Sequence, residues 1–245
     1  MRNIWKNIII SVGLLLMMSY LIYSVLFLHV DAGEVVCKEV RITLKDSLQR
    51  SFVTPAEISS MLQRSGKYPV GVNYADIKTV EMESALLKHP LIKDVQCYKT
   101  KEGILKVDVR QRIPHYYVMS SEGNYYVDIE RKIMPAISGC AAYVPVVTGN
   151  VNKDFAKGEL YDFVDYIEND EFWHNQVTQV NVVNSRQIQL IPRIGSYLIE
   201  LGSLEDYPSK LKKLELLYVD GFGKLGWKDY KVVDVQYKNQ VVCRY

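Results

Sequence analysis

Hydrophobic residues are most continuous near the start of the chain, where residues 8–30 contain no Asp, Glu, Lys or Arg. A helix of this length reaches about 34 Å, slightly more than the roughly 30 Å hydrocarbon core of a bilayer. Arg2 and Lys6 precede the stretch, and positive charge is retained on the cytoplasmic side of a membrane. The pattern predicts a cytoplasmic tail over residues 1–7, a membrane-spanning helix over residues 8–30 and an extracytoplasmic remainder.

A cleaved signal peptide is the alternative explanation of this stretch. Val30-Asp31-Ala32 resembles a small-x-small cleavage site, but a signal peptide has an apolar region of only about 7–15 residues. Cys37 follows Val36 rather than a small residue, which argues against lipoprotein processing. The sequence favours a retained anchor, and both alternatives place most of the chain outside the cytoplasm.

After the predicted anchor, the spacing of apolar residues indicates a compact α+β unit. Residues 36–44 alternate between apolar and polar side chains, as in a half-buried strand. Thr54-Pro55-Ala56-Glu57 is a capping-box pattern that begins a helix, and a second helical pattern covers residues 74–88. The apolar positions of the second helix are Ile77, Val80, Ala85 and Leu86 or Leu87. Predicted strands over residues 94–100 and 104–110 form a hairpin.

Strands dominate the rest of the chain, with helices between them. The predicted strands cover residues 125–129, 133–134, 143–149, 177–183, 188–191, 197–201, 231–237 and 240–245. One amphipathic helix is predicted over residues 155–169, and another begins at Pro208. The fold class is therefore α+β. We predict a β-α-α-β-β domain over residues 34–114, followed by a mixed β domain with helices packed on its sheet over residues 115–245.

Composition and charge exclude several classes of function. The net charge is only +2, and no block of like charge suggests a nucleic-acid surface. The chain has no G-x-S-x-G, H-E-x-x-H or paired-carboxylate pattern, and the S-x-x-K pattern at residues 209–212 lacks the S-D-N-like and K-T-G elements that penicillin-binding enzymes need. We therefore predict a non-enzymatic protein without a cofactor, a metal ion or a small-molecule substrate.

The cysteines and histidines lack the spacing of metal ligands or redox motifs. The cysteines are Cys37, Cys97, Cys140 and Cys243, all beyond the predicted anchor and without a C-x-x-C pair. Disulfides are permitted outside the cytoplasm, but the sequence does not assign pairs. We expect most of these cysteines to be buried small residues, with at most one bridge.

The order of these elements resembles the FtsQ/DivIB family of bacterial cell-division proteins. Gln111-Arg112-Ile113-Pro114 is similar to the E-R-x-P of that family at its domain boundary. Asp128 matches the start of a D-x-x-G motif, but Glu130-Arg131-Lys132 replaces the glycine turn. Residues 143–149, YVPVVTG, are similar to its L-P-x-x-x-G. The resemblance implies that the first extracytoplasmic block is a POTRA domain that assists recruitment of other division proteins to the septum.

The C-terminal strand is the predicted partner-binding site. A strand with a free edge exposes N–H and C=O groups with which another chain can pair, and the resemblance implies that small bitopic proteins of the FtsB and FtsL type bind there. The candidate residues are Tyr237, Gln240, Val241, Val242, Cys243, Arg244 and Tyr245. In an extended strand Val241, Cys243 and Tyr245 share one face, and Val242 and Arg244 share the other. The alternative is that this strand simply completes the sheet.

Arg112 and Pro114 are expected to form an interdomain corner, since proline rigidifies a turn and arginine often pairs locally. Together these features predict a single-pass scaffold of the division machinery, in the cytoplasmic membrane at the septum. It would hold partners together and help to regulate septal wall synthesis. One alternative is a POTRA-bearing secretion or chaperone component. Another is an extracytoplasmic enzyme or ligand-binding sensor, which would need a deep polar pocket.

Overall fold

The computed structural model describes residues 2–27, 35–45, 52–137, 141–222 and 230–245. Its first element is helix α1 (Arg2–Phe27), on which large apolar side chains such as Leu15 and Leu16 are exposed. In the described part of the chain, no helix meets the length and apolarity needed to cross a bilayer. The end of the predicted anchor and the candidate cleavage site lie at residues 28–34, outside the described residues.

The first domain has the predicted β-α-α-β-β order. Its elements are β1 (Glu39–Lys45), α2 (Pro55–Arg64), α3 (Thr79–Leu86), β2 (Ile92–Lys99) and β3 (Ile104–Gln111). The three strands form the smaller sheet in the order β1-β3-β2, with β1 parallel and β2 antiparallel to β3. Its core combines one face of this sheet with the buried sides of α2 and α3, as Val107, Leu62 and Leu86 illustrate.

The predicted capping box at the start of α2 is confirmed. The Glu57 N–H donates to the Thr54 side-chain oxygen at 3.2 Å, and the Thr54 N–H donates to the Glu57 carboxylate at 2.7 Å. Pro55 occupies the first turn, where its missing N–H costs nothing. These contacts satisfy main-chain donors that the helix itself leaves unpaired.

The second helix is shorter than predicted, and the prediction was wrong about Val80. The helix covers Thr79–Leu86, its buried residues are Met82 and Leu86, and Val80 is 70% exposed. Residues 74–76 form a turn instead, and the Tyr74 N–H donates to the Val35 carbonyl at 2.9 Å. This pairing with the start of the domain competes with helix formation there.

The second domain contains a larger sheet, which has nine strands over the described residues. The strands are β4 (Pro114–Ser120), β5 (Gly123–Asp128), β6 (Ile133–Pro135), β7 (Val146–Gly149), β8 (Val177–Asn184), β9 (Gln187–Pro192), β10 (Leu198–Gly202), β11 (Val232–Asp234) and β12 (Val242–Arg244). Their spatial order is β12-β11-β10-β9-β8-β7-β4-β5-β6. The fold is thus the predicted α+β class, with the β-α-α-β-β domain followed by a large sheet.

The helices of the second domain contribute to one hydrophobic core with this sheet. They are α4 (Lys153–Lys157), α5 (Glu159–Asn169), α6 (Glu171–Gln176), α7 (Tyr207–Leu216) and a π-helix over Leu217–Phe222. Phe163 and Trp173 are almost completely buried between these helices and the sheet, and Leu211 and Leu214 bury the inner side of α7 as predicted. The predicted helix over residues 155–169 is divided at Gly158, whose backbone departs from the helical conformation.

A glycine is required where β7 ends. Gly149 has a φ of +102°, and a Cβ at this position would lie 2.2 Å from the Val182 carbonyl oxygen. Only glycine adopts this backbone conformation readily and permits such a close approach of the neighbouring strand. This requirement explains the glycine that closes the YVPVVTG segment.

The turn between β5 and β6 reaches a similar backbone conformation without glycine. Arg131 has a φ of +62° at the fourth position of the D-x-x-G-like motif. Its guanidinium lies over the Tyr161 ring, 4.3 Å from the ring centroid, and forms an ion pair with Asp162 of α5. A cation over an aromatic ring and a surface ion pair each stabilise the fold modestly, which offsets the strained backbone.

We predict that Arg131→Gly is more stable than Arg131→Ala. Both variants lose the contacts with α5, but only glycine relieves the positive φ, so the difference should be about 1 kcal/mol in favour of glycine. Urea unfolding of both variants measures it. Greater stability of the alanine variant, as is usual within regular elements, would contradict the proposed strain.

A second prediction concerns acid stability. Burial lowers the pKa of His115, whose ring lies against Tyr161, although the carboxylate of Asp165 is 3.4 Å from its Nε2. The imidazole of His115 therefore binds a proton more readily in the unfolded chain than in the folded chain. As a result, the contribution of neutral His115 to the free energy of unfolding is complete above about pH 6.5 and declines as the pH falls below that value. Urea unfolding should show that the His115→Gln variant loses less stability than the wild type between pH 7.5 and pH 5. An equal loss in the two proteins would contradict the lowered pKa of His115.

Candidate partner-binding edge

Strand β12 lies at one end of the larger sheet. It pairs antiparallel with β11, with Val233 opposite Cys243 and Asp234 opposite Val242. On its other side no described strand is present. The outer side of β12 therefore presents main-chain groups that the sheet itself does not use.

The hydrogen-bonding alternation of β11 shows which groups these are. Just after β11 the Val235 N–H donates to the Glu200 carbonyl, and just before it the Lys231 carbonyl accepts from the Leu198 N–H, so these two groups face β10. Because neighbouring residues of a strand bond in opposite directions, Val232 and Asp234 face β12, whereas Val233 faces β10. It follows that the N–H and C=O of Cys243, which is opposite Val233, point away from the sheet.

The side chains of β12 are divided between its two faces. Val241 and Cys243 pack against the hydrophobic core of the domain. Arg244 lies on the opposite face, where its guanidinium is 3.2 Å from the buried Asp234 carboxylate and 57% of its side chain is exposed. Burial raises the pKa of the Cys243 thiol, which keeps it protonated and makes it a packing residue.

The predicted strand over residues 240–245 was too long, and so was its partner over residues 231–237. Tyr237 and Gln240 are exposed and lie in the connection between β11 and β12. The ladder ends early because the Lys213 ammonium of α7 binds the Val235 and Tyr237 carbonyls. The Asp234 carboxylate also accepts the Gln236 N–H at 3.1 Å.

Aromatic rings hold the end of β12 against the body of the domain. Tyr245 lies 4.9 Å from the ring of Tyr230, which stacks in turn on Phe222 of the π-helix at 5.7 Å. A hydrogen bond between the two tyrosines raises the pKa of Tyr230. The edge is therefore preorganised, although 72% of Tyr245 remains exposed.

The other described sheet ends each carry a feature that discourages strand addition. On β2 the Glu83 carboxylate accepts the N–H of Cys97 at 2.7 Å, which occupies an edge donor. Strand β6 has three residues and ends at Pro135, which has no N–H. Strand β1 displays a row of charged side chains, Glu39, Arg41 and Lys45. Short strands, proline and charge are common means of protecting edges. Strand β12 is also only three residues long, but it has no proline, and its charged residue Arg244 is paired with Asp234 of β11.

The comparisons with known protein families agree with this architecture. A family model described as FtsQ/DivIB, C-terminal related, matches residues 113–244, more than half of the chain. The chain belongs to the FtsQ/DivIB family. A second model, for a POTRA-like domain, matches residues 35–110. No curated protein matches the chain.

The motif residues of the FtsQ/DivIB family meet at the junction between the two domains. Arg112 lies between β3 and β4, and its guanidinium is 2.8 Å from the carboxylate of Asp128, which is only 1% exposed. The Asp128 carboxylate also accepts the N–H groups of Glu130 and Lys132, at 2.8 and 2.7 Å. Pro114 begins β4 opposite Asp128 in the register.

Further contacts across the junction join the same turn to the POTRA-like domain. Lys93 of β2 forms an ion pair with Glu130 at 2.6 Å and lowers the pKa of that carboxyl. Tyr126 and Met134 of the larger sheet belong to the hydrophobic core of the POTRA-like domain, where the Phe52 ring lies 5.9 Å from Tyr126. Ionic and hydrophobic contacts therefore both connect the two domains.

Within the described residues, the cysteines and potential metal ligands do not come together as a disulfide or a metal site. Cys37, Cys97 and Cys243 are free thiols there, and Cys140 lies outside the described residues. Burial raises the pKa of Cys97 to about 12. No group of three potential metal-ligating side chains comes together in the described ranges.

Sequence reasoning missed Asp234, Tyr230 and Phe222, all of which support β12. Asp234 alternates with Val233 and Val235, so its sequence pattern predicts an exposed residue rather than a buried acceptor for Arg244. The two aromatic residues lie before the last hairpin, and their proximity to Tyr245 depends on how the π-helix returns to the sheet. No local pattern signals either contact.

We predict that Arg244→Gln destabilises the edge. The substitution leaves the buried Asp234 carboxylate with the Gln236 N–H but without its counter-charge, at a cost of about 1–2 kcal/mol. Hydrogen exchange of the β11 and β12 amides should accelerate, and Asp234→Asn in the same chain should restore part of the stability. The control Lys212→Gln, which breaks an exposed ion pair, should change stability by less than about 0.5 kcal/mol.

Proposed function

We propose that this FtsQ/DivIB member is a non-enzymatic scaffold of the bacterial division machinery that binds its partner by strand addition to β12. The unpaired outer side of β12, with the Cys243 main chain directed outward, is the observation that carries the proposal. An added strand gains one main-chain hydrogen bond after another along such an edge, and side chains on its two faces provide selectivity.

The chemistry of the edge favours a partner strand of mixed character. Residues on one side of the added strand would continue the apolar surface of Val241 and Cys243, and residues on the other would meet the exposed Arg244 guanidinium. A partner with apolar residues on one face and an acidic residue on the other fits both surfaces. Small bitopic division proteins of the FtsB and FtsL type are the partners that we propose.

We propose a location in the cytoplasmic membrane on the basis of the N-terminal sequence. We propose that residues 8–30 are a retained single-pass anchor with the N-terminus in the cytoplasm. The absence of charge over this stretch and the preceding Arg2 and Lys6 support this topology. The exposed apolar side chains along α1 also favour a lipid environment, since no described residue covers them.

In this proposal the POTRA-like domain contributes to recruitment at the septum, and the partner held at β12 links the chain to septal peptidoglycan synthesis. The role requires binding surfaces rather than catalytic groups. Membership of the FtsQ/DivIB family favours it over the secretion, chaperone and sensor alternatives.

Substitution of Cys243 tests strand addition directly. Proline at this position removes an outward N–H without removing a ladder bond to β11, whereas Cys243→Ala keeps the N–H and changes only the side chain. We expect Cys243→Pro to weaken capture of small single-pass division proteins by about tenfold, because one hydrogen bond is lost and the added strand is strained. Cys243→Ala should weaken capture by less than about twofold.

The measurement is crosslinking in growing cells, with a photoreactive residue at Gln240 or at Val242, followed by comparison of cell lengths. Filamentous cells should accompany loss of capture in the proline variant. Thermal unfolding of the purified chain confirms that both variants keep the sheet. Equal capture by the proline and alanine variants, or normal division after deletion of residues 240–245, would refute binding at this edge.

A further inference from the structure

The first residues of the POTRA-like domain pair with a loop that forms one end of the domain. The Cys37 N–H donates to the Val72 carbonyl at 2.9 Å, and the Gly71 N–H donates to the Cys37 carbonyl at 2.8 Å. Val36 also forms an isolated bridge with Asn73. The chain therefore enters the domain directly beside this loop.

The loop ends in a turn with an apolar tip. The Val72 N–H donates to the Pro69 carbonyl at 3.0 Å, and Gly71 has a φ of +83°, as in a type II turn. Val70 at the tip is 41% exposed, Val72 at the end of the turn is 37% exposed, and Val36, which pairs with Asn73, is 44% exposed. Turn positions usually carry polar residues, so exposed valines in this turn and on the segment that pairs with it indicate an interaction surface at this end of the domain. We call these three residues the valine patch.

Basic residues lie at the rim of the valine patch. The Lys38 N–H donates to the Gly103 carbonyl at 2.8 Å, which brings the hairpin loop containing Lys101 to the same end of the domain. Lys38 and Lys101 are both exposed, and Glu102 is the acidic residue of this loop. Long lysine side chains can cover apolar surface and place their ammonium groups among phosphates.

The length of the connecting chain restricts what this surface can meet. Eight residue steps separate Phe27, the last residue of α1, from Val35. Eight steps span at most about 28 Å even when fully extended. The valine patch follows within one residue of this connection, so a membrane that holds α1 lies within reach of it.

We infer that the valine patch, with Lys38 and Lys101 at its rim, rests on the lipid headgroups of the bilayer that holds α1. This inference depends on the anchor in the proposed function, and it adds a second point of attachment to the membrane. A single attachment through α1 would not fix the orientation of the domain relative to the bilayer. Two attachments restrict its orientation, and the ionic junction at Asp128 transmits that restriction to the sheet that carries β12.

Tryptophan fluorescence in vesicles tests the inference on the full chain. Val70→Trp places a reporter at the tip, and Val183→Trp is the matched control, because Val183 of β8 is similarly exposed at 42%. Both are reconstituted into vesicles of phosphatidylethanolamine and phosphatidylglycerol that contain brominated lipids. The wild-type spectrum is subtracted, since the chain has three native tryptophans.

We expect quenching of the Val70→Trp reporter to exceed that of the control by at least about twofold, because interfacial side chains lie among the headgroups and upper acyl chains. Lys38→Glu with Lys101→Glu should reduce the difference in anionic vesicles. Equal quenching of the two reporters would overturn the inference. A blue shift of the Val70→Trp reporter without quenching by bromine would also overturn it, because this result would show a contact with protein rather than with lipid.

Resistance of the wild-type chain to alkaline extraction separates this inference from the proposed anchor. A chain that resists extraction but shows no quenching at residue 70 retains the anchor and lacks the second contact. A chain that is extracted overturns both the anchor and the lipid contact, and leaves strand addition at β12 to its own test.

Discussion

The buried carboxylate of Asp128 is the contact on which the arrangement of the two domains depends. A charge that is 1% exposed is stable only when it is paired, and here Arg112 and two main-chain N–H groups supply the partners. The same turn presents Glu130 to Lys93 and holds Arg131 over Tyr161. The junction therefore sets where the larger sheet lies relative to the POTRA-like domain.

The larger sheet continues from this junction to β12, whose outer side is not paired with any described strand. Each interior strand satisfies its neighbours, so unused main-chain groups are confined to the ends of the sheet. The Asp234–Arg244 pair and the Tyr230–Tyr245 contact hold β12 in place with its outer groups directed outward. Preorganisation of this kind lowers the entropy cost of binding a flexible partner segment.

Much of the fold follows from local patterns in the sequence. The capping box at Thr54 and Glu57 is made within four residues, and the alternation in β1 and β3 requires only that one face be buried. Local patterns were less informative where distant groups compete for the backbone. The pairing of Val35 with Tyr74 shortens α3, and Lys213 of α7 ends the last ladder early. The glycine expected at position 131 is replaced by an arginine that distant contacts with α5 stabilise.

The sequence by itself determined the fold class, the order of elements, the resemblance to the FtsQ/DivIB family and the C-terminal segment as the candidate site, because these depend on periodicity and short motifs. Only the tertiary structure decided that Arg112 meets Asp128, that Asp234 supports Arg244 and that Cys243 directs its main chain outward. Each of these depends on which strands become neighbours and in which register. Strand neighbours are chosen by packing between residues far apart in the chain, which no short segment of sequence encodes.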